Sequence, residues 1–158
     1  MLGDSIQEMQ KTRSEAGYVL MSKQLKEQQR EKTMDITRIF KWHASHNLCL
    51  SYSSHCKNLH GHTYKIEVTV SGKLNDEGMV IDFSKLDKYV NETASFDHSH
   101  LNDIREFEEE NPTAENLVIY LKNKLYESWP FNGIWIKKIR VWETENAYAE
   151  KEWTCLEQ

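Results

Sequence analysis

The chain has 158 residues, a length typical of one globular domain. Apolar residues make up 39% of it and aromatic residues 11%, while only six Gly and two Pro occur, which excludes a disordered class. The formal net charge is −5 and no cluster of Lys and Arg alternates with aromatic residues, so direct nucleic-acid binding is not expected.

The cysteines are sparse and odd in number: Cys49, Cys56 and Cys155. The N-terminus shows neither a basic-then-apolar signal peptide nor a run of about 18 apolar residues. We therefore expect a cytoplasmic protein without a membrane partner. In a reducing compartment, a cysteine beside histidines points to chemistry rather than to a disulfide.

Residues 1–35 differ in composition from the rest and are rich in Gln, Lys, Glu and Met. We interpret them as an N-terminal extension that is partly helical or disordered. The alternative is an amphipathic helix that packs on a neighbouring subunit. Residues 36–158 then form the folded domain.

Period-two alternation predicts two strands after the extension. The first covers residues 36–46, and the second begins at His60 and ends at the turn signal Ser71-Gly72. On each strand one parity is mostly apolar and also carries histidines, whereas His43 points to the opposite face. These parity sets are Ile36, Phe40, Trp42, Ala44 and His46, and then His60, His62, Tyr64, Ile66, Val68 and Val70.

Two helices follow the turn Asn75–Gly78. Asp82 can cap a helix over residues 83–95. Asn111-Pro112-Thr113 opens the second helix, with Pro tolerated in its first turn. The apolar positions of the two helices are Phe83, Leu86, Tyr89 and Val90, and then Leu117, Leu121 and Leu125.

Two strands end the predicted order ββααββ. Residues 128–133 stop the second helix, and residues 134–144 return to a strand in which a carboxylate, Glu143, ends a mostly apolar row. Residues 147–153 supply a last short strand. The row that shares its parity consists of Trp135, Ile139, Val141 and Glu143.

Three histidines have the pattern of a metal site. His60 and His62 lie at i and i+2 on one strand and so face the same way, and His46 has the matching face at the end of the preceding strand. If the two strands are antiparallel, the three imidazoles meet at one end of the sheet. Zinc in a catalytic site takes three protein ligands and keeps a fourth position open, so we predict Zn²⁺ here.

The neighbouring polar residues leave alternatives open. Cys56 can close the site as a fourth ligand, or it can act as a base or nucleophile whose thiolate a nearby dication favours. Asp97 beside His98 fits an oriented proton-transfer imidazole, but also a capping Asp next to an exposed His. His43 and His55 are interpreted as ordinary polar residues.

Six segments, in this order and at suitable intervals, resemble the 6-pyruvoyl-tetrahydropterin synthase and 6-carboxy-tetrahydropterin synthase family. The resemblance covers residues 36–153 and leaves only the N-terminal extension outside it. The segments are FKWHASH, CKNLHGHTY, GMVIDFSKL, FDHSHLND, NPTAEN and VWETENAYAE.

The resemblance implies an α+β T-fold: a four-stranded antiparallel sheet with two helices on one face. Such chains join through their sheet edges into trimeric barrels that stack as a homohexamer, with active sites between subunits. It also implies zinc ligands His46, His60 and His62, a proton-abstracting Cys56, an Asp97–His98 pair, a pterin-anchoring Glu143, and substrate-side residues Thr113 and Glu115.

The implied substrate is 7,8-dihydroneopterin triphosphate. The resemblance favours the bacterial branch, a zinc-dependent lyase that makes 6-carboxytetrahydropterin for queuosine and other 7-deazapurines and releases acetaldehyde and triphosphate. The alternatives are the 6-pyruvoyl-tetrahydropterin branch, an aldolase-like activity on the unphosphorylated pterin, and a non-catalytic pterin or zinc module. A branch that lacks the cysteine is disfavoured by Cys56.

Overall fold

The structure, a computed structural model, describes residues 33–156. The predicted extension over residues 1–35 therefore lies almost entirely outside the described residues. The described part contains β1 (Thr33–His46), β2 (His60–Lys73), α1 (Phe83–Ala94), β3 (Ser99–His100), α2 (Ala114–Tyr126), β4 (Ile134–Thr144) and β5 (Ala147–Glu152).

The strands form one sheet in the order β3-β1-β2-β4-β5. β4 is antiparallel to both β2 and β5, and side-chain contacts between β1 and β2, Thr37 to Thr69 and His43 to Thr63, also run in opposite directions. The sequence predicts four antiparallel strands, but the sheet has a fifth strand, β3, which pairs in parallel with β1 through Ser99 and His100. Two residues are too few for any periodicity to reveal them.

The core lies between one face of the sheet and the two helices. The apolar parity of β1 and β2 is buried there, as alternation predicted. The predicted stripe of α2, Leu117, Leu121 and Leu125, is fully buried, which contributes about 1.5–3 kcal/mol for each side chain. The α+β architecture with two helices is thus confirmed. Its fully buried strand residues include Tyr64, Ile66, Val68, Val70, Ile136, Ile139 and Val141.

Two predicted strand features are wrong. β2 does not end at Ser71-Gly72 but continues to Lys73. Gly72 lies within the strand, and a Cβ there would lie 3.0 Å from the Ile134 side chain, so the tight packing at this position favours a residue without one. In β4 the ladder to β2 shifts around Lys137, and the bulge puts Ile136, not Trp135, on the buried face.

The predicted N-cap of α1, Asp82, is confirmed, and the structure shows that Thr113 caps α2. Asp82 accepts a hydrogen bond from the amide of Ser84, and Thr113 accepts one from the amide of Asn116. Pro112 precedes the cap rather than lying in the first turn. Phe83 is 49% exposed at the open end of α1 and does not join the core. Within residues 33–156, no helix is long and apolar enough to cross a membrane.

Candidate metal centre

Three histidine side chains converge where β1 ends and β2 begins. His46 is the last residue of β1, and His60 and His62 are the first and third residues of β2. The Nε2 atoms of His46 and His60 lie 3.0 Å apart, and one ligand atom from each of the three residues lies within 4.8 Å of the others. The antiparallel pairing and the two parities therefore bring together the three residues that the sequence singled out.

Hydrogen bonds fix which ring nitrogen faces the cluster. His46 Nδ1 lies 2.9 Å from the Pro112 carbonyl oxygen, and His60 Nδ1 lies 2.8 Å from the Asn58 carbonyl oxygen. Because a carbonyl oxygen only accepts, each Nδ1 carries the proton and each Nε2 keeps a free lone pair. This is the usual support of a metal-bound histidine.

The third imidazole shows the need for a ligand most directly. His62 Nε2 is buried and has no hydrogen-bond partner among the described residues. A buried nitrogen without a partner is costly, and a metal ion that accepts its lone pair removes that cost. Zinc bonds of about 2.0–2.1 Å in tetrahedral geometry hold two nitrogens roughly 3.3 Å apart, close to the spacing of His46 and His60. The residues present therefore fit a metal ion.

Burial tunes the cluster toward the form that binds metal. Burial lowers the pKa of His46, although the bond to Pro112 opposes the effect. Burial also lowers the pKa of His62, against the opposing charge of Glu143. Both rings are therefore held in the neutral form, which is the form that donates to a metal ion.

Glu143 brings a carboxylate to the edge of the cluster. Its Oε1 lies 3.4 Å from His46 Nε2 and 3.6 Å from His62 Nε2. Glu143 shares a face with the buried Val141, as the sequence predicted for the end of β4. Beneath it, burial raises the pKa of Tyr64, and the nearby carboxylate raises it further, so this hydroxyl stays protonated.

Cys56 lies outside the metal cluster. It is half-buried in a single 3₁₀ turn, His55–Lys57, within the loop that joins β1 to β2. The group of residues whose ligand atoms converge consists of histidines alone within the described chain. The thiol is therefore a neighbour of the cluster in sequence and not part of its ligand set.

Asp97 and His98 lie at the outer edge of β1. The Asp97 carboxylate accepts a hydrogen bond from the His43 amide at 2.6 Å, and the His98 amide donates to the His43 carbonyl. His98 has a φ of 58°, in the left-handed region that a non-glycine residue seldom occupies. Its Nδ1 lies 3.5 Å from Asp97 Oδ1 and its side chain is 77% exposed. The backbone of His43 therefore holds the Asp97 carboxylate and the His98 amide, while the His98 ring is open to solvent.

His43, which the sequence analysis interprets as an ordinary polar residue, is not among the converging ligand atoms. Its backbone bonds both members of the Asp97–His98 pair, and its ring lies 5.7 Å from that of His98, contacts that the sequence does not reveal. Its Nδ1 also contacts the Thr63 hydroxyl at 3.0 Å. His43, Thr63 and His98 border an open cleft of about 470 Å³ that the metal-site residue His62 also lines.

The two predicted substrate-side residues lie at the start of α2. Thr113 caps the helix with its hydroxyl, and Glu115 is exposed in the first turn. Thr113 therefore has a structural task whatever else it contacts. The same segment reaches the metal cluster through the Pro112 carbonyl, which fixes His46.

Comparison with known proteins agrees with this geometry. Residues 35–153 match the 6-pyruvoyl tetrahydropterin synthase family. The chain is 41% identical over 96 residues to a putative 6-carboxy-5,6,7,8-tetrahydropterin synthase of Archaeoglobus fulgidus, an alignment that covers 60% of this chain and 76% of that protein. It is 35% identical over 98 residues to a dihydroneopterin monophosphate aldolase of Pyrococcus furiosus, with coverage of 61% and 81%.

Solved structures agree as well. The Caenorhabditis elegans 6-pyruvoyl tetrahydropterin synthase superposes with a TM-score of 0.66 at 26% identity, over 77% of this chain and 96% of that one. The chain belongs to the 6-pyruvoyl tetrahydropterin synthase family and has its T-fold.

Proposed function

With membership of this family as the premise, we propose that the protein is a zinc-dependent 6-carboxy-5,6,7,8-tetrahydropterin synthase. It converts 7,8-dihydroneopterin triphosphate and water to 6-carboxytetrahydropterin, acetaldehyde and triphosphate. The observation that carries the proposal is the convergence of three Nε2 atoms, one of them buried without a partner, beside the carboxylate of Glu143. The Archaeoglobus fulgidus relative carries the matching name.

His46, His60 and His62 would hold the zinc ion through their Nε2 atoms. When bound, zinc supplies Lewis-acid polarisation that makes a hydroxyl and its adjacent C–H group more acidic. The protein's part is to keep each imidazole neutral and aimed, which the Pro112 and Asn58 carbonyl groups do for His46 and His60.

Proton transfer is assigned to two groups. In this proposal the Cys56 thiolate removes a proton from the substrate side chain. His98 moves a proton on the other side of the substrate, with Asp97 as the carboxylate that orients its ring. The distance of 3.5 Å between His98 Nδ1 and Asp97 Oδ1 is long for a hydrogen bond and suits a pair that tightens when substrate binds.

Substrate recognition is assigned to the carboxylates. Glu143 would accept hydrogen bonds from the 2-amino group and a ring N–H of the pterin, a bidentate contact that a neutral analogue loses. Its position 3.4 Å from a ligating nitrogen supports a pterin that lies against the metal ion. Thr113 and Glu115 are proposed as further contacts at the start of α2.

The site is proposed to be completed by a second chain. The three histidines share the parity of the buried strand residues, whereas the Asp97–His98 pair is held at His43, which has the opposite parity on β1. A homohexamer built as a dimer of trimers would let the pair of one chain serve the metal ion of another. We place the reaction in queuosine biosynthesis in the cytoplasm, because a reducing compartment keeps the three free cysteines reduced.

Product analysis tests the proposal. Zinc-loaded protein is incubated with 7,8-dihydroneopterin triphosphate, and acetaldehyde and 6-carboxytetrahydropterin are measured against a Cys56→Ala control. Both products should form in equal amounts with the wild-type protein only. Consumption of the substrate without release of acetaldehyde would refute this assignment. A 6-pyruvoyl product would select the other synthase branch.

The Pyrococcus furiosus relative supports a second candidate, an aldolase acting on dihydroneopterin monophosphate. Aldol cleavage of the monophosphate side chain keeps the phosphate on the released two-carbon fragment and yields glycolaldehyde phosphate with a 6-hydroxymethyl pterin, so the same assay with the monophosphate separates the two. A non-catalytic pterin or zinc module would bind substrate with or without Cys56 and yield no product at all.

A further inference from the structure

Two asparagine side chains hold the segment Asn47–Cys49, which follows the metal ligand His46, through hydrogen bonds to its backbone. Asn102 accepts a hydrogen bond from the Asn47 amide at 3.0 Å and donates one to the Asn47 carbonyl at 2.9 Å. Asn111 makes the same pair of bonds to Cys49, at 2.6 Å and 2.8 Å. Each side-chain amide thus takes the place of a peptide group in a neighbouring strand.

These clamps decide what the residue between them can do. In an extended chain the backbone groups of alternate residues point to the same side, so clamping Asn47 and Cys49 turns the Leu48 amide to the opposite side. There the Leu48 amide donates to the Cys56 carbonyl at 2.8 Å. The backbone of Cys56 is therefore attached to a segment that is itself fixed at both ends.

Asn111 is in turn fixed to the frame of the metal cluster. Its carbonyl accepts hydrogen bonds from the Asn116 side chain at 2.9 Å and from the Thr113 amide at 2.8 Å, at the start of α2. The next carbonyl along the chain, that of Pro112, holds the metal ligand His46. One short segment therefore sets the orientation of a metal ligand and the position of the cysteine loop together.

We propose that Asn102 and Asn111 are positioning residues that hold the Cys56 thiol in register with the three-histidine metal centre. The consequence for turnover rests on the proposed function, because it requires Cys56 to act on a substrate at that centre. The consequence for the thiol itself does not, since the clamps fix the loop whether or not a reaction follows. Loss of either asparagine side chain lets the segment around Leu48 move, and the Cys56 loop bonded to Leu48 moves with it.

The test replaces Asn111 by Asp. The carboxylate keeps the size and the acceptor but puts an oxygen against the Cys49 carbonyl, so one bond becomes a repulsion. The matched control is Asn75→Asp in a distant turn, where the side chain only accepts bonds, from the Glu77 and Met79 amides, and a carboxylate can do the same. Asn111→Ala, which removes both bonds without repulsion, is read if the Asp variant does not fold.

Two readouts are taken on zinc-loaded full-length protein. Alkylation by iodoacetamide, resolved for each cysteine by mass spectrometry, should become at least about threefold faster at Cys56 and unchanged at Cys155, because local opening exposes the half-buried thiol. In the turnover assay kcat should fall about 10- to 100-fold while KM and zinc content stay within about twofold, as expected for a misplaced group.

The outcomes separate the two proposals. Unchanged alkylation of Cys56 in Asn111→Asp, or in Asn111→Ala where the Asp variant does not fold, overturns the positioning role. Faster alkylation in a protein whose wild-type form has no turnover supports the positioning role and refutes the proposed function alone. A kcat as high as that of Asn75→Asp, in a protein that turns over, also overturns the inference.

Discussion

The histidine cluster and the Asp97–His98 pair are both candidates for chemistry, yet they are built in opposite ways. The His46 side chain is fully buried and its Nδ1 is hydrogen bonded to a carbonyl, and beside it the buried Nε2 of His62 has no hydrogen-bond partner among the described residues. His98 is mostly exposed, and its backbone has a left-handed φ that costs about 1–3 kcal/mol in a non-glycine residue.

The difference teaches which part of the site one chain can complete. The cluster is formed by the end of β1 and the start of β2, two strands of one sheet, so the fold of a single chain brings its members together. The Asp97–His98 pair is held against His43, and the His98 ring lines an open cleft with room for a substrate or for part of another chain. The strained backbone of this exposed histidine is the observation behind the proposal that its ring takes part in catalysis.

The largest expected effect is the loss of bound zinc and of turnover when a histidine of the cluster is replaced. His62→Asn should abolish bound zinc, because an amide oxygen is a poor ligand for this ion, and turnover should fall at least about 10³-fold as several kcal/mol of charge stabilisation are lost. Metal analysis and product assays measure both. The matched substitution His55→Asn, in the exposed loop, should change neither; full zinc occupancy in His62→Asn would contradict the assignment of the cluster.

The same substitution at the second region should leave the metal in place. His98→Asn keeps a residue that tolerates a left-handed backbone and removes the proton-transferring ring, so kcat should fall about 10²- to 10⁴-fold with normal zinc content. A companion variant, His98→Gly, should be as inactive and at least as stable towards urea, since glycine relieves the backbone strain. An active His98→Asn variant would remove this residue from the mechanism.

The buried cluster should also give the metal-free protein a pH-dependent stability. Burial lowers the pKa of His46 and His62 below the ordinary value of 6.5, so below that pH the unfolded chain binds more protons than the folded one. Stability is therefore full above 6.5 and declines as pH falls, by at most about 1.4 kcal/mol per pH unit for each histidine. Urea unfolding of chelated protein between pH 7 and 5 measures the slope, which His62→Asn should flatten; a slope of opposite sign would contradict the burial.

A smaller effect tests whether the Thr113 hydroxyl stabilises the start of α2. Loss of its capping hydroxyl in Thr113→Ala should lower the free energy of unfolding by about 1 kcal/mol, whereas Thr113→Ser should preserve it. Denaturant unfolding measures both. Equal stability of the two variants would mean that the hydroxyl is not needed for the helix and leave it only a substrate contact.

Much of the fold could be predicted because local patterns and long-range packing agree in this chain. Alternation along β1 and β2, the cap at Asp82, and the leucine stripe of α2 each predict the element that forms. The errors fall where tertiary contacts decide. The bulge at Lys137 and the close packing around Gly72 depend on neighbours that the local sequence does not reveal.

The site divides in the same way. Strand parity alone predicted that His46, His60 and His62 share a face, and the structure brings them together. Parity could not reveal that the Asp97–His98 pair is anchored to His43, or that Asn102 and Asn111 grip the segment leading to Cys56, because those bonds join residues more than 50 positions apart. Only the folded chain shows them.

Subunit mixing tests the central claim most directly. His62→Asn and His98→Asn proteins, each inactive alone, are unfolded together, refolded with zinc and assayed for acetaldehyde release from 7,8-dihydroneopterin triphosphate. If the metal centre of one chain works with the Asp97–His98 pair of another, mixed assemblies should regain a substantial fraction of wild-type turnover. No recovery in assemblies shown by mass spectrometry to contain both chains would contradict a site shared between chains.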